Sequence, residues 1–540
     1  MKLAAEVSPE KLRGGFYSPP ALVKVCFDRI QELVGGREHL SLLEPSSGDG
    51  EFIRGLAAHA SSSSISRVVA VEIAPSEAAK TATAIRNLDV AGETITGSVL
   101  EVACRVSEQF DVAVGNPPYV RFQFVSESDR LAAQEVSEKA GVSLAGVSNL
   151  WIPVLLASLN MVRNGGAFAF IIPTECFTGI SARMIRTWLS CNSQELRVDL
   201  FPPKSFSGVL QEVVVLSGRV HRETQGEPKL TVCDHAVQNT WVHLVETSAT
   251  TWTGYLLTPE QLSAFDSMRS IPSIYSLGDV ARIGVATVTG ANQYFTVTDA
   301  TLDEYRLHPW RLPLLPRIRH AQGLVFRDED FAQMSEGEAP RWLLDFSASN
   351  PDVVAFPKPA EYIARGQADG LPGRYKCRIR DPWYRVPVVP IGQLLMSKRS
   401  HIYPRLIVND AGVGTTDTIY KGVMRPEFSG RERDLVALFH NSYTLLTAEI
   451  EGRSFGGGVL ELVPSEVGRL KVPLANAAEY LPVLDALTRK FGGDSELVVE
   501  ETNRILVEKL KLLPKDVLQV LQSARHLLLR RRMGRAGVGE

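Results

Sequence analysis

The chain has 540 residues, 44% hydrophobic and 22% charged, with a mean hydropathy of -0.01, which fits two or three folded globular domains and excludes a lone peptide module. A net charge of -3 does not advertise nucleic-acid binding, yet a local basic cleft is compatible with it. Met1 to Glu10 lacks a secretory pattern, no apolar run reaches the roughly 18 residues of a membrane span, and Cys26, Cys104, Cys176, Cys191, Cys233 and Cys377 form no zinc-like or redox pair. A cytoplasmic protein with reduced structural thiols and no metal is expected.

In chain order, a helix is predicted at Ala21 to Leu33, then a strand at Ser41 to Leu43, a helix at Phe52 to Ala60 and a strand at Val68 to Glu72. A helix at Ser76 to Leu88, a strand at Phe110 to Gly115, a helix at Leu150 to Val162 and a strand at Ala167 to Ile172 follow. A helix at Ala182 to Ser190 and strands at Arg197 to Phe201 and Val213 to Leu216 close the series. This alternation predicts an α/β doubly wound domain over residues 1–245. Beyond it prolines, tryptophans and arginines become denser, as at Pro309 to Arg311 and Arg378 to Trp383. A connecting segment is placed at 246–277, a second, mixed α+β domain at 278–494, and a helical, basic end at 495–540 with a break at Pro514.

Two loops carry chemistry. The first strand runs into Glu44, Pro45, Ser46, Ser47, Gly48, Asp49 and Gly50, and a helix opens at Phe52. In doubly wound sheets ligands sit beyond the carboxyl ends of strands, where small residues admit them. The spacing is neither a dinucleotide GxGxxG nor a P-loop, which argues against NAD and ATP. Glu72 ends the second strand, placed to accept hydrogen bonds from both hydroxyls of a ribose, with Ile73 beside it. At the end of the Asp111 to Gly115 strand stands Asn116, Pro117, Pro118, Tyr119, a loop stiffened by consecutive prolines.

Glu44 to Gly50, Glu72 and Asn116 to Tyr119 resemble the motifs of gamma-class N6-adenine DNA methyltransferases of restriction-modification systems, of the type II, TaqI-like kind. Gly15, Phe16, Tyr17, Ser18, Pro19 and Pro20 resemble their N-terminal motif, which precedes the glycine loop as in that class. The resemblance is close over the first 220 or so residues. It implies a Rossmann-like class I S-adenosylmethionine-dependent domain followed by a target-recognition domain. S-adenosylmethionine would be held by Tyr17, Ser18, Pro19, Glu44, Pro45, Ser46, Gly48, Asp49, Gly50, Phe52, Glu72, Ile73, Ser98, Val99 and Asn116. The family's acidic residue and aromatic after the third strand, which hold the cofactor's adenine, correspond to Ser98 and Val99, so both depart from the pattern.

The implied reaction explains the residue types. An adenine amino nitrogen is a poor nucleophile because its lone pair is delocalised into the ring. If the Asn116 side-chain oxygen and the Pro117 carbonyl each accept one amino hydrogen, that lone pair can turn toward the methyl group. Pro118 keeps the loop rigid, and Tyr119 offers a face on which an extruded base can stack. On that reading Tyr119→Phe is mild. A second aromatic over the base is assigned to Phe206, with Phe201 as the competitor.

The second half resembles a DNA-reading surface at Val288 to Phe295, Ser397 to Val408 and Asn441 to Pro473. Lys398, Arg399, His401, Arg405 and Arg453 are its candidate DNA contacts. Arg525 and Arg530 to Arg535 form a basic end that either binds phosphate or serves as a soluble tail. Double-stranded DNA is the expected partner of a monomer, and a cognate endonuclease is expected to be encoded separately, since the chain begins almost at the cofactor motif. The alternatives are N6-adenine RNA or protein-glutamine methylation, and a non-catalytic DNA-binding subunit of a defence complex.

Overall fold

The structure, a computed structural model, describes residues 18–106, 109–179, 181–202, 205, 213–222, 228–246, 249, 251–336, 339–347, 349–455 and 457–534. The chain divides into two compact units, Met1–Pro259 and Glu260–Glu540, a division that falls inside the segment 246–277. Among the described residues no helix is long and apolar enough to cross a membrane.

Unit 1 is built on a nine-stranded sheet. Its strands are β1 (Leu40–Glu44), β2 (Ile65–Glu72), β3 (Ala91–Thr96), β4 (Phe110–Gly115), β5 (Val162–Pro173), β6 (Ser193–Leu200), β7 (Val213–Val220), β8 (Lys229–Asp234) and β9 (Asn239–Leu244), in the order 3-2-1-4-5-7-6-8-9. Strands β1 to β5 are mutually parallel, and β7 lies antiparallel between β5 and β6. Every residue of β4 is buried, as a central strand covered on both faces requires; it is apolar but for Asp111, whose carboxylate accepts from the Ser41 N–H and hydroxyl. Helix α1 (Pro20–Val34) lays Leu22, Val23, Cys26, Phe27 and Ile30 into one core with Val112, Val114, Ala167 and Ala169. The other helices are α2 (Glu51–Ala57), α3 (Pro75–Arg86), α4 (Val99–Arg105), α5 (Glu127–Lys139), α6 (Trp151–Asn160) and α7 (Arg183–Asn192).

The predicted strands and helices of unit 1 are all present, with ends moved by a few residues. Three strands escaped prediction. Edge strand β3 is mostly exposed and has the sequence AGETIT, with no apolar alternation to reveal it. The β8–β9 hairpin extends the far edge, beyond the pattern that the resemblance covers.

Unit 2 is mixed α+β. A five-stranded sheet runs Ala281–Val285, Ile419–Met424, Leu394–Ser397, Leu406–Asn409, Val325–Phe326, antiparallel except for the last pair. A second, aromatic core gathers Tyr294, Phe295, Trp310, Phe346, Tyr362, Trp383 and Tyr384. The chain end forms helix Lys515–Gly534 after the expected break at Pro514.

That helix settles what two of the C-terminal arginines do. Arg532 is 2% exposed; its guanidinium pairs with the Glu449 carboxylate at 2.6 Å and donates to the carbonyls of His401, Ile402 and Gly458. Arg525 is equally buried and holds Glu496 at 2.6 and 2.8 Å. Neither is free for phosphate. Arg532→Ala would strand the Glu449 charge in the interior, so a loss of about 3–5 kcal/mol is expected, read by urea denaturation against wild type. A variant that unfolds at the wild-type urea concentration contradicts this role.

Candidate active site

The strand order reverses at β1, which has β2 on one side and β4 on the other, so the loops after β1, β2 and β4 open on one edge of the sheet. The first loop turns through Gly48 (φ 54°) and Gly50 (φ 87°), both in the left-handed region. A Cβ on Gly50 would also come within 3.1 Å of the Thr81 Cα. The Gly48 N–H donates to the Glu72 carboxylate at 2.8 Å, and the Ala74 N–H donates to its other oxygen at 2.8 Å. Glu72 is therefore fixed by backbone donors before any ligand arrives, with further lone pairs on each oxygen. Thr81 ties the loop to α3 through the Gly48 carbonyl and the Ser47 hydroxyl, each at 3.0 Å.

The two loops are joined. The Ser46 hydroxyl donates to the Asn116 carbonyl at 3.1 Å, and Pro45 packs where a Cβ on Gly115 would meet its ring at 3.2 Å. Asn116 is held at both ends of its amide: its Nδ2 donates to Ser18 Oγ at 3.1 Å, and its Oδ1 accepts from the Tyr119 hydroxyl at 2.7 Å. The same hydroxyl lies 3.1 Å from the Ile171 carbonyl on β5. Burial pushes the Tyr119 phenol well above its usual range, so it remains a donor. Among the described residues no donor reaches the Pro117 carbonyl.

The other sequence-selected residues are disposed differently. Phe52 is 2% exposed, in contact with Phe27 in the core, and Val99 is buried at the start of α4, so neither offers a ring face or a free side chain. Ile73 is 57% exposed on the open edge. Asp49 is tied to Arg54 at 2.9 Å. Phe201 stacks on His235, with ring centroids 5.1 Å apart and planes at 3°. Tyr17 and Phe206 lie outside the described residues, as do Gly15 and Phe16; Ser18 and Pro19 lie within them. In unit 2, Arg399 pairs with Glu461, Lys398 stands 3.9 Å from the same carboxylate, and Arg453 pairs with Glu466 at 2.8 Å. His401 is exposed; Arg405 is buried against the carbonyls of Ala321 and Gly323.

Sequence reasoning missed Asp129. The Ser98 hydroxyl donates to the Asp129 carboxylate, whose second oxygen accepts from Ser126 Oγ at 2.7 Å. A carboxylate thus stands directly behind the position where the sequence lacks one. Its sequence signal, Ser126 three residues before Asp129, reads as a helix N-cap, which it also is; only the fold brings it to Ser98.

The residues fit a cationic sulfonium nucleoside. Glu44 is 1% exposed with neither carboxylate oxygen partnered, a buried acid at the base of a glycine cradle. Burial, and then the charges of Glu72 and Asp49, push its carboxyl well above the ordinary 4.5, while Arg54 opposes and Glu51 adds to the shift. The folded protein therefore holds a proton that the unfolded chain releases, so Glu44 costs stability as pH rises above that ordinary value. Glu44→Gln, which keeps the shape without the titration, is expected to melt above wild type beyond neutrality, the gap closing as pH falls toward 4.5. A gap independent of pH contradicts the buried, protonated acid.

Known proteins resemble the chain in sequence and in fold. Residues 72–204 match the family model of the Eco57I restriction-modification methylase, and residues 249–507 that of the type II methyltransferase M.Eco57I, C-terminal domain. The type II methyltransferase M.AccI of Acinetobacter calcoaceticus is 22% identical over 380 residues, covering 67% of this chain and 68% of that one. M.XamI of Xanthomonas campestris pv. amaranthicola is 20% identical over 480 residues, 85% of each chain. The solved type IIL restriction-modification enzyme MmeI, in complex with DNA, shares the fold with a TM-score of 0.54 at 12% identity, covering 96% of this chain and 74% of that one. Fold and strand order are those of a Rossmann-like domain followed by a further domain. These two Eco57I-type domain matches and the type II relatives support a gamma-class restriction-modification methyltransferase.

Proposed function

We propose that the protein transfers a methyl group from S-adenosylmethionine to N6 of an adenine turned out of duplex DNA, as the modification enzyme of a restriction-modification system. The observation that carries this reading is the Asn116 amide, held at both ends beside an open Pro117 carbonyl. S-adenosylmethionine supplies an electrophilic methyl on a positively charged sulfur. The chain supplies two acceptors. Asn116 Oδ1 and the Pro117 carbonyl each take one hydrogen of the target amino group, drawing its nitrogen toward tetrahedral geometry so that its lone pair points at the methyl. With the cofactor bound, the amino nitrogen so held by Asn116 and Pro117 would take the methyl, sulfur being the leaving group, and would then lose its surplus proton to water. No strong base is required before attack.

Tyr119 has two tasks on this reading: its ring stacks on the extruded base, and its hydroxyl sets which end of the Asn116 amide faces that base. When the base enters, the hydroxyl can lean toward the Ile171 carbonyl and leave an Asn116 lone pair for the substrate. Ser18 is the matching positioning residue on the nitrogen side. Glu72 receives the cofactor's ribose, Ile73 lies against its base, and Ser98 backed by Asp129 accepts from the amino group of that base. Unit 2 reads the DNA sequence.

Tyr119→Phe and Ser18→Ala should each lower kcat by up to about tenfold, the worth of one hydrogen bond, with the Kd for S-adenosylmethionine unchanged and with Ser18→Thr restoring the rate. A changed cofactor Kd at unchanged kcat would contradict the positioning role. Asp129→Ala should do the reverse, weakening cofactor binding by about tenfold in calorimetry while saturated turnover persists. The substrate class is tested by tritiated methyl transfer to duplex DNA, ribosomal RNA and release-factor protein, with label expected on DNA. Label on RNA or protein alone would overturn the reading.

A further inference from the structure

The cations that the sequence singles out in unit 2 are mostly committed: Arg399 and Lys398 face Glu461, Arg453 faces Glu466, and Arg405, Arg525 and Arg532 are buried. The segment from Arg374 to Arg385 differs. It holds five cations, Arg374, Lys376, Arg378, Arg380 and Arg385, against the single acid Asp381. Arg374, Lys376, Arg378 and Arg385 are exposed, and among the described residues none of the four has an ion-pair partner. The same short stretch exposes two large apolar side chains, Tyr375 at 65% and Ile379 at 62%, and Lys376 Nζ stands 5.4 Å from the Tyr375 ring centroid.

This patch is rigidly mounted. Cys377 is fully buried in the aromatic core, together with Trp383 and Tyr384 further along. Arg380 turns inward and donates to the carbonyls of Val288 and Thr289 at 2.7 Å each. A single helical turn, Tyr375–Arg378, buries Cys377 and leaves Tyr375, Lys376 and Arg378 exposed, with Arg374 just before the turn and Ile379 just after it. Unpaired, exposed cations on a fixed backbone, interleaved with apolar side chains, complement a polyanion whose sugars are apolar and whose phosphates recur regularly. An acidic protein surface would be met equally well by flexible lysines, whereas three of these four cations are arginines, suited to bidentate phosphate contact.

We propose that Arg374, Lys376 and Arg378 contact backbone phosphates of duplex DNA, with Tyr375 packed on the sugar face between them, so that this segment positions the duplex on unit 2. The proposal rests on DNA being the substrate. Fluorescence anisotropy of the full-length protein with a labelled duplex, over a series of NaCl concentrations and with S-adenosylhomocysteine present, tests it. Wild type should bind with a steep dependence of log Kd on log salt, and R374A/K376A/R378A should lose about 2.7 from that slope, about 0.9 per phosphate. R374K/R378K should keep the wild-type slope, and Tyr375→Ala should weaken binding without changing it. A triple variant that keeps the wild-type slope, with S-adenosylhomocysteine binding intact, would overturn the proposal. A wild type that binds single-stranded RNA but no duplex would instead overturn DNA as substrate, a separate failure.

Discussion

Strand β1 has parallel neighbours on both sides, and the chain leaves it in opposite directions on its way to β2 and, later, to β4. No covering helix can close the crevice above that reversal, because the crossovers diverge from it. Each feature of the site uses that opening. The glycine loop after β1 enters it, Glu72 at the end of β2 borders it, and the Asn116 loop at the end of β4 faces them. The hydrogen bond from Gly48 to Glu72 and that from Ser46 to the Asn116 carbonyl stitch the three strand ends into one rigid rim.

Rigidity matters because the proposed chemistry has no strong acid or base in it. Methyl transfer to an aromatic amine depends on where two acceptor oxygens point, and an asparagine amide is a free rotor unless both ends are tied. Here they are tied, by Ser18 and by Tyr119. The buried, unpartnered Glu44 supplies the complementary electrostatic element: a carboxyl that costs stability in the empty fold and becomes favourable when a cation lies above it.

The sheet was legible in the sequence where strands are buried on both faces, since β4, apart from Asp111, and β5 from Ala167 onward are apolar runs. It was illegible at the edges: β3 and the β8–β9 hairpin carry no such pattern because one side of each meets solvent. For the site, the strand-end loops pointed to Glu44, Glu72 and Asn116 to Tyr119 as candidates, and the fold brings those loops together through the bonds from Gly48 to Glu72 and from Ser46 to Asn116. Asp129 could not be found this way, since only folding brings it to Ser98 and its bond to Ser126 reads as part of a helix cap; Ser18 was expected at the cofactor, and only the fold sets it against the Asn116 amide. Single arginines were the least readable. Arg532 and Arg374 look alike in a sequence, and only burial and pairing separate a buried structural cation from an exposed, unpaired one.

The most direct measurement is mass spectrometry of nucleosides released from duplex DNA after incubation with the protein and isotopically labelled S-adenosylmethionine, compared with the Asn116→Ala protein. Label confined to N6-methyl-2′-deoxyadenosine with wild type, and none with Asn116→Ala at undiminished cofactor binding, is the result expected. Label in a methylated cytosine, or methyladenine formed at the wild-type rate without Asn116, would contradict the account.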